Sequence, residues 1–394
     1  MNTVDVIVVG GGVNGASTAF FLAKAGVKKV VLLERRQLGA GASGKSGALV
    51  RTHYTNPIEA NMAFESLKVF RNWSEIVGGD CGFESLGFLQ VVAPEYEEQL
   101  RANVADHQRL GINTRVLTTD EILEIEPATR FDDITCAAYE PDSGFADPNA
   151  TLYGFVKAAR DLGVDVRTGV EATRLLAEGD RITGVETTDG AFHADNVVLI
   201  PGPWAQRLLS PLGLEFDLEP RRVQVAVFRW PYGFDRRHPI FIDDSQEAWF
   251  RPEGASSTLV GLESGVDGAD PDTIAEGVDH DYVEDCRAAL SHRLPVFEHS
   301  TMRGGWAGVI TMSADGRPII DQIPAYAGLF CMLGDSGTSF KTAPAIGMGL
   351  AEWITRGEPQ SFDLHPFRST RFAEGDLWLD ENAYGSHRER TISR

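Results

Sequence analysis

The feature that most constrains this chain lies near its N-terminus: an apolar run, a glycine-rich turn, a small-residue helix and a second apolar run. Residues 4–9 read VDVIVV, the nearly continuous pattern of a strand buried on both faces. From Asn14 to Ala25, Ala16, Ala19, Phe20 and Ala23 recur at helical spacing, and Gly26 is a natural stop. Residues 30–33 form a second buried strand closed by Glu34. Between strand and helix, Gly10, Gly12 and Gly15 make GxGxxG. That pattern is weak alone, but here strand, helix and a following acid all stand in place. Gly10 permits the tight turn, Gly12 admits a pyrophosphate to backbone N–H groups, and Gly15 lets helix and strand pack closely. Val13 and Asn14 open the helix, whose N-terminus favours phosphate. Glu34 can accept ribose hydroxyls, with Arg35 beside it. The unit is expected to bind a dinucleotide.

At 394 residues the chain exceeds one ordinary core, so two structural units are expected. A net charge of -21 argues against nucleic acid or an anionic membrane surface as partner. Cys81, Cys136, Cys286 and Cys331 are too scattered for a zinc site or a disulfide framework. Buried free thiols and a cytoplasmic location are expected, and no metal. No leader of the usual form is expected ahead of the first strand, and no apolar run is long enough to span a membrane.

After Glu34 the chain does not continue into further parallel strands. It enters a Gly/Ser-rich loop (residues 39–47), a helical stretch (57–76), a strand (87–92) and helices (95–110, 120–125). A second α/β stretch follows: a helix near 151–162, a strand at 165–167, a meander around 182–188 and the buried strand 197–200. Residues 220–305 alternate apolar and polar with few helical signals, as in a mostly antiparallel sheet. A strand (329–333), a glycine-rich turn and a helix (344–355) close the pattern, and the basic end HRERTISR reads as a frayed tail. The expected fold is α/β, with a Rossmann-like cofactor domain (1–85, 145–217, 308–394) interleaved with an α+β antiparallel-sheet substrate domain (86–144, 218–307). A cofactor domain split in this way suits FAD better than NAD.

Four separated stretches resemble the D-amino-acid-oxidase-like flavoproteins, most closely the branch of sarcosine oxidases and the sarcosine or proline dehydrogenase beta subunits. They are VVGGGVNGASTAFFLAKAG with Glu34, LGAGASGKSGALVRTHY, PDSGFADP with its following helix and GVDVRTGVEATRL, and SADGRPIID running into GDSGTSFKTAPAIG. The resemblance implies that Val170 contacts the adenine through its backbone, with Gly202 beside the dinucleotide. Ala42 and Ser43 would approach pyrophosphate and flavin. Gly334, Gly337, Thr338, Ser339 and Lys341 would lead into a helix whose N–H groups face the flavin pyrimidine ring.

For the substrate, the resemblance puts Arg51 and Lys341 at the family's carboxylate clamp. His53 and Tyr54 are candidates for the same cavity, Trp249 and Phe250 for its apolar wall or for the core, and Glu263 for a position near the family's pocket histidine. Gly308 matches the cysteine that carries covalent FAD in monomeric sarcosine oxidases, so non-covalent FAD is expected. Leu259 matches their oxygen-activating lysine, which leaves Lys341, Lys45 or His53 to supply positive charge. The expected activity is oxidation of the C–N bond of a small secondary amino acid such as sarcosine, another N-methyl amino acid or proline. Two alternatives stand beside it: a 2-hydroxy acid dehydrogenase with His53 as base, and a flavoprotein subunit of a heteromeric electron-transfer complex. The acceptor, oxygen or another carrier, and the oligomer, homomeric or heteromeric, stay open.

Overall fold

The computed structural model describes residues 2–378 and 380–384 of the chain. Val6–Val9 and Val30–Glu34 are adjacent parallel strands at the centre of a six-stranded sheet. Asp165–Thr168 flanks Val30–Glu34, while Asn196–Leu199 and then Leu329–Leu333 extend the other side, all in parallel. Ile319–Gln322 closes that edge antiparallel. Because strand side chains alternate, one run of residues feeds two cores. Val6, Val8, Val30 and Leu32 face one cluster, and Ile7, Val9, Val31 and Leu33 face the other. Each such side chain contributes about 1.5–3 kcal/mol when fully buried, which explains why the runs are apolar throughout.

Helix Val13–Lys24 lies on the first face with Pro148–Asp161 and Ala343–Arg356. Ser17 Oγ donates to Ala343 O at 2.8 Å, and a Cβ at Gly347 would stand 2.5 Å from that same Oγ. The helices of the two chain ends therefore touch through small residues. The other face is covered by a four-stranded sheet, Asn2–Thr3, Gly190–His193, Arg181–Thr187 and Ala172–Glu178.

The second unit is built on a nine-stranded, mainly antiparallel sheet assembled from residues between 88 and 140 and between 218 and 313. One junction is parallel, Phe88–Val91 against Ile240–Asp243, and it joins the two separated segments. Met302–Ser313 pairs along Leu218–Arg229 and crosses the expected domain boundary at 308 unbroken. Helix His280–Arg293 lies in 220–305, where the sequence gives few helical signals. Its buried residues Tyr282, Val283, Cys286, Ala289, Leu290 and Arg293 recur at helical spacing, and several pack on Phe241, Phe250 and Val260 of the sheet. The helical stretch 57–76 is two helices, Pro57–Arg71 and Trp73–Ile76, meeting at Asn72. All four cysteines are buried and free. The basic end HRERTISR lies outside the described residues.

Candidate active site

At the turn after the first strand, Gly10 takes φ +115°, and a Cβ there would lie 2.1 Å from Ile200 O. A Cβ on Gly15 would lie 1.9 Å from Gly10 O. Only glycine fits either place, and the helix start is thereby drawn against the strand ends. Glu34 braces the turn: Gly11 N donates to Oε2 at 2.8 Å, and Arg36 N donates to Oε1 at 2.7 Å. Val13 N donates to Ser43 Oγ at 3.0 Å, so the loop after the second strand folds back onto the helix N-terminus.

A cavity of about 390 Å³ opens over this turn. Gly10, Gly12, Asn14, Glu34, Arg35, Ala42, Ser43, Val170, Gly202 and Gly334 line it together. A second cavity, about 160 Å³, adjoins it and is lined by Val13, Arg51, Trp249, Gly308, Gly337, Thr338 and Lys341. Asn14, Ala42, Ser43, Lys45, Ile310 and Asp335 border both, so the two form one continuous cleft. Gly15 and Ser339 line neither; the first acts in packing, and the second is buried.

Arg51 and Lys341 converge on the smaller cavity from sequence positions 51 and 341. Both are buried, and both stand over the Tyr54 ring, the guanidinium carbon at 4.8 Å and the ammonium at 4.9 Å from its centroid. Lys341 Nζ donates to Thr338 O at 2.9 Å. Burial and the neighbouring Arg51 charge push the Lys341 amine well below the usual lysine range, against the pull of Glu59 and Asp335. Burial lowers Arg51 as well, opposed by Tyr54, Glu140 and Glu59. The segment after Arg51 is fixed by local sequence: Asn56 caps helix Pro57–Arg71 by accepting from Glu59 N at 2.8 Å, with Pro57 at the first position. Glu59 and Asp380 both pair with the buried Arg317, tying this helix to the SADGRP turn.

The family model described as FAD dependent oxidoreductase (DAO) matches residues 5–353 of this chain, which take in both cavities. The chain belongs to this FAD-dependent oxidoreductase family. Among relatives, the sarcosine oxidase subunit beta of Arthrobacter sp is 28% identical over 96% of this chain and 93% of its own length. The 4-methylaminobutanoate oxidase (formaldehyde-forming) of Paenarthrobacter nicotinovorans is 29% identical over 94% of this chain but only 46% of its own length. Of solved structures, L-proline dehydrogenase from P. horikoshii superposes with a TM-score of 0.89 at 24% identity, covering 96% of this chain and 100% of that one. Glycine oxidase from Geobacillus kaustophilus gives 0.81 at 25%, covering 94% and 99%.

The family's FAD fits the larger cavity. The turn at Gly10–Gly12 offers a cradle without side chains, the helix has no acidic residue in its first turn, and buried Asn14 Oδ1 has no protein hydrogen-bond partner. Gly12, Val13 and Asn14 would hold the pyrophosphate. At the far end, Trp204 and Arg35 stack at 4.6 Å. Asp272 clamps that pair: Arg35 donates to it at 2.6 Å and Trp204 Nε1 at 3.0 Å.

Several expected site residues of this family member lie elsewhere. His53 is fully buried, lines neither cavity, and has Nε2 2.8 Å from Tyr384 Oη. Burial, His107 and Arg51 hold its imidazole well below the usual histidine range. Tyr54 also lies behind the cavity wall, donating to Thr338 O at 3.2 Å, with its phenol raised by burial and Glu59. Trp249 lines the cavity, lying flat over Gly261 and Gly47, whereas its neighbour Phe250 points to the opposite face and stacks on Phe241 at 4.7 Å. Glu263 is half-buried beyond the strand end and lines neither cavity. Leu259 is packed with Val225 and Val227 and lines neither cavity.

The sequence reading missed Trp306, which lines the smaller cavity and donates from Nε1 to Lys45 O at 2.8 Å. It shares a strand face with Gly308 and Ile310, and the opposing Val223 and Val225 register with Gly308 and Trp306. Once Gly308 was placed at the site, period-two alternation pointed to both neighbours.

Proposed function

We propose that the protein oxidises the C–N bond of a small secondary amino acid, such as sarcosine, another N-methyl amino acid or proline. The observation that carries this reading is the pair of buried basic side chains, Arg51 and Lys341, on one small cavity continuous with the dinucleotide cleft. Arg51 and Lys341 take the substrate carboxylate, an anchor that suits a planar guanidinium and a compact ammonium acting together. Trp249, Trp306, Ile242 and Leu262 exclude water from the rest of the cavity and press the carbon beside nitrogen toward the Ser43–Lys45 border. Bound FAD supplies the hydride acceptor. The amine must arrive neutral, because its lone pair assists loss of the hydride; the two cations near the site favour that form. The names of the relatives, sarcosine, methylaminobutanoate and proline enzymes among them, support the same class of chemistry. Gly308 at the wall offers no sulfur, which supports FAD held without a covalent bond.

The test is an anaerobic screen of secondary, primary and tertiary amino acids and of 2-hydroxy acids, followed by bleaching of the flavin band. Reduction by lactate-like acids and not by amines would overturn the proposal. The placement of His53 away from the cavity speaks against that outcome, since no histidine lines the cavity among the described residues. A second reading, a flavoprotein subunit of a heteromeric complex, is favoured by two relatives named as beta subunits. Full turnover by the purified chain alone would remove it.

A further inference from the structure

Behind Arg51, on the side away from the cavity, three residues distant in sequence meet: His53, His107 in the last turn of helix Glu97–Arg109, and Glu140 at the end of strand Cys136–Glu140. All three are buried, and one ligand atom of each lies within 4.8 Å of the other two. Each residue has one polar atom held by protein and one that meets no protein hydrogen-bond partner. His53 Nε2 is 2.8 Å from Tyr384 Oη, and Nδ1 has no partner. His107 Nε2 lies 2.8 Å from Tyr54 O, and its Nδ1 has no partner. Glu140 Oε2 accepts from Thr52 N at 2.9 Å and Ser143 Oγ at 2.6 Å, and Oε1 has no partner.

The tautomer follows from these contacts. A carbonyl oxygen only accepts, so His107 carries its hydrogen on Nε2 and presents a bare lone pair at Nδ1. An ionised carboxylate only accepts, so Glu140 Oε1 is a second lone-pair donor. His53 is held by a hydroxyl, which can donate or accept, so with its hydrogen on Nε2 it offers a third lone pair at Nδ1. Outer hydrogen bonds that orient the ring and fix the tautomer are the usual support of a metal-binding imidazole.

We propose that His53, His107 and Glu140 form a binding site for a divalent first-row transition metal, with zinc as the natural first occupant. Two imidazole nitrogens and one carboxylate oxygen make an established ligand set for such ions. Glu140 supplies one negative charge to the ion, and Glu59 also acts on the nearby Arg51. The role is structural. Thr52, which donates to Glu140, and His53 directly follow Arg51, so an ion there stiffens the segment that carries the substrate clamp. Because the ligands lie outside the cavity, this proposal stands or falls independently of the oxidised substrate.

The test is metal content and location in untagged holoenzyme from cells grown with added zinc, then desalted without chelator. Mass spectrometry is expected to find about one zinc per chain, falling at least about tenfold in His107→Gln and Glu140→Gln. Anomalous diffraction at the zinc edge is expected to place one peak among the three residues. That measurement needs only the unaltered protein, so a variant that fails to fold does not leave the question open. A wild-type chain holding less than about a tenth of an equivalent would overturn the site. So would an anomalous peak elsewhere, or a water between His107 Nδ1 and Glu140 Oε1 in place of an ion.

Discussion

Replacing Lys341 by methionine removes the charge while keeping most of the side-chain volume. Lys341 is buried, its Nζ has one described hydrogen bond, to Thr338 O at 2.9 Å, and it faces a substrate-sized cavity. A carboxylate about 4 Å from the ammonium would gain roughly 4 kcal/mol at an effective dielectric of about 20. Burial, which pushes the lysine amine below its usual range, offsets part of this. A charge-assisted hydrogen bond of about 1.5–3 kcal/mol remains, or roughly a 10- to 100-fold loss of kcat/KM in Lys341→Met. The loss should be confined to acids: for the amide of the same amino acid the variant and parent should agree within about threefold. Simple carboxylates such as acetate, titrated by their perturbation of the flavin spectrum, should bind the parent more weakly as pH rises through the depressed pKa, because the free amine is then neutral and binding must take up a proton. Stability moves the other way. The folded chain binds fewer protons than the unfolded chain between the depressed and the normal lysine pKa, so this group makes stability rise with pH across that interval. In Lys341→Met that contribution should vanish, and the variant should be at least as resistant to urea near neutral pH. Unchanged acid-to-amide selectivity, or acetate binding with the same pH dependence in parent and variant, would refute the clamp.

Three further outcomes are expected. Acid precipitation should release the flavin into the supernatant, since Gly308 offers no attachment point; yellow colour left in the pellet would contradict this. Asp272→Asn should speed FAD loss on dilution and make it less sensitive to salt, because Asp272 joins Arg35, Trp204 and Arg207 across the end of the cleft; an unchanged release rate would show that the clamp does not hold the cofactor. Substrate-reduced enzyme mixed with aerated buffer should reoxidise more slowly than it turns over with artificial dyes. Lys45, the one lysine besides Lys341 on the cleft among the described residues, is paired with Glu276 at 2.7 Å, so fast reoxidation that Lys45→Met abolishes would mark it as the oxygen-reactive charge.

What was legible in the sequence, and what was not, divides along physical lines. The Val6–Val9 turn unit was readable because period, glycine positions and Glu34 are all local, and each level agrees with the others. Even there, spacing could not show that both Glu34 oxygens brace backbone N–H groups. Helix His280–Arg293 was hidden by low overall apolarity, HDYVEDCRAALSHR, although its buried positions keep helical spacing. The hydrophobic stripe was present, but the strand signals on either side outweighed it.

The site itself depends on contacts between distant residues, and there local reading fails in a specific way. Arg51, His53 and Tyr54 are neighbours on an irregular segment with no fixed period, so nothing in RTHY says which side chain enters the cavity. Arg51 enters; His53 and Tyr54 turn toward His107 and Thr338. On the regular strand Met302–Ser313 the same question had an answer, because alternation carries Gly308 to Trp306 and Ile310. The His53–His107–Glu140 cluster lies at the limit of this logic. Its members come from a loop, a helix and a strand, so no spacing rule joins them, and only the fold reveals that the three are buried side by side, each with one unpartnered atom. The same four-residue run therefore puts Arg51 on one side of the wall and His53 on the other, and a loss at either face should be felt through the backbone of Thr52 that connects them.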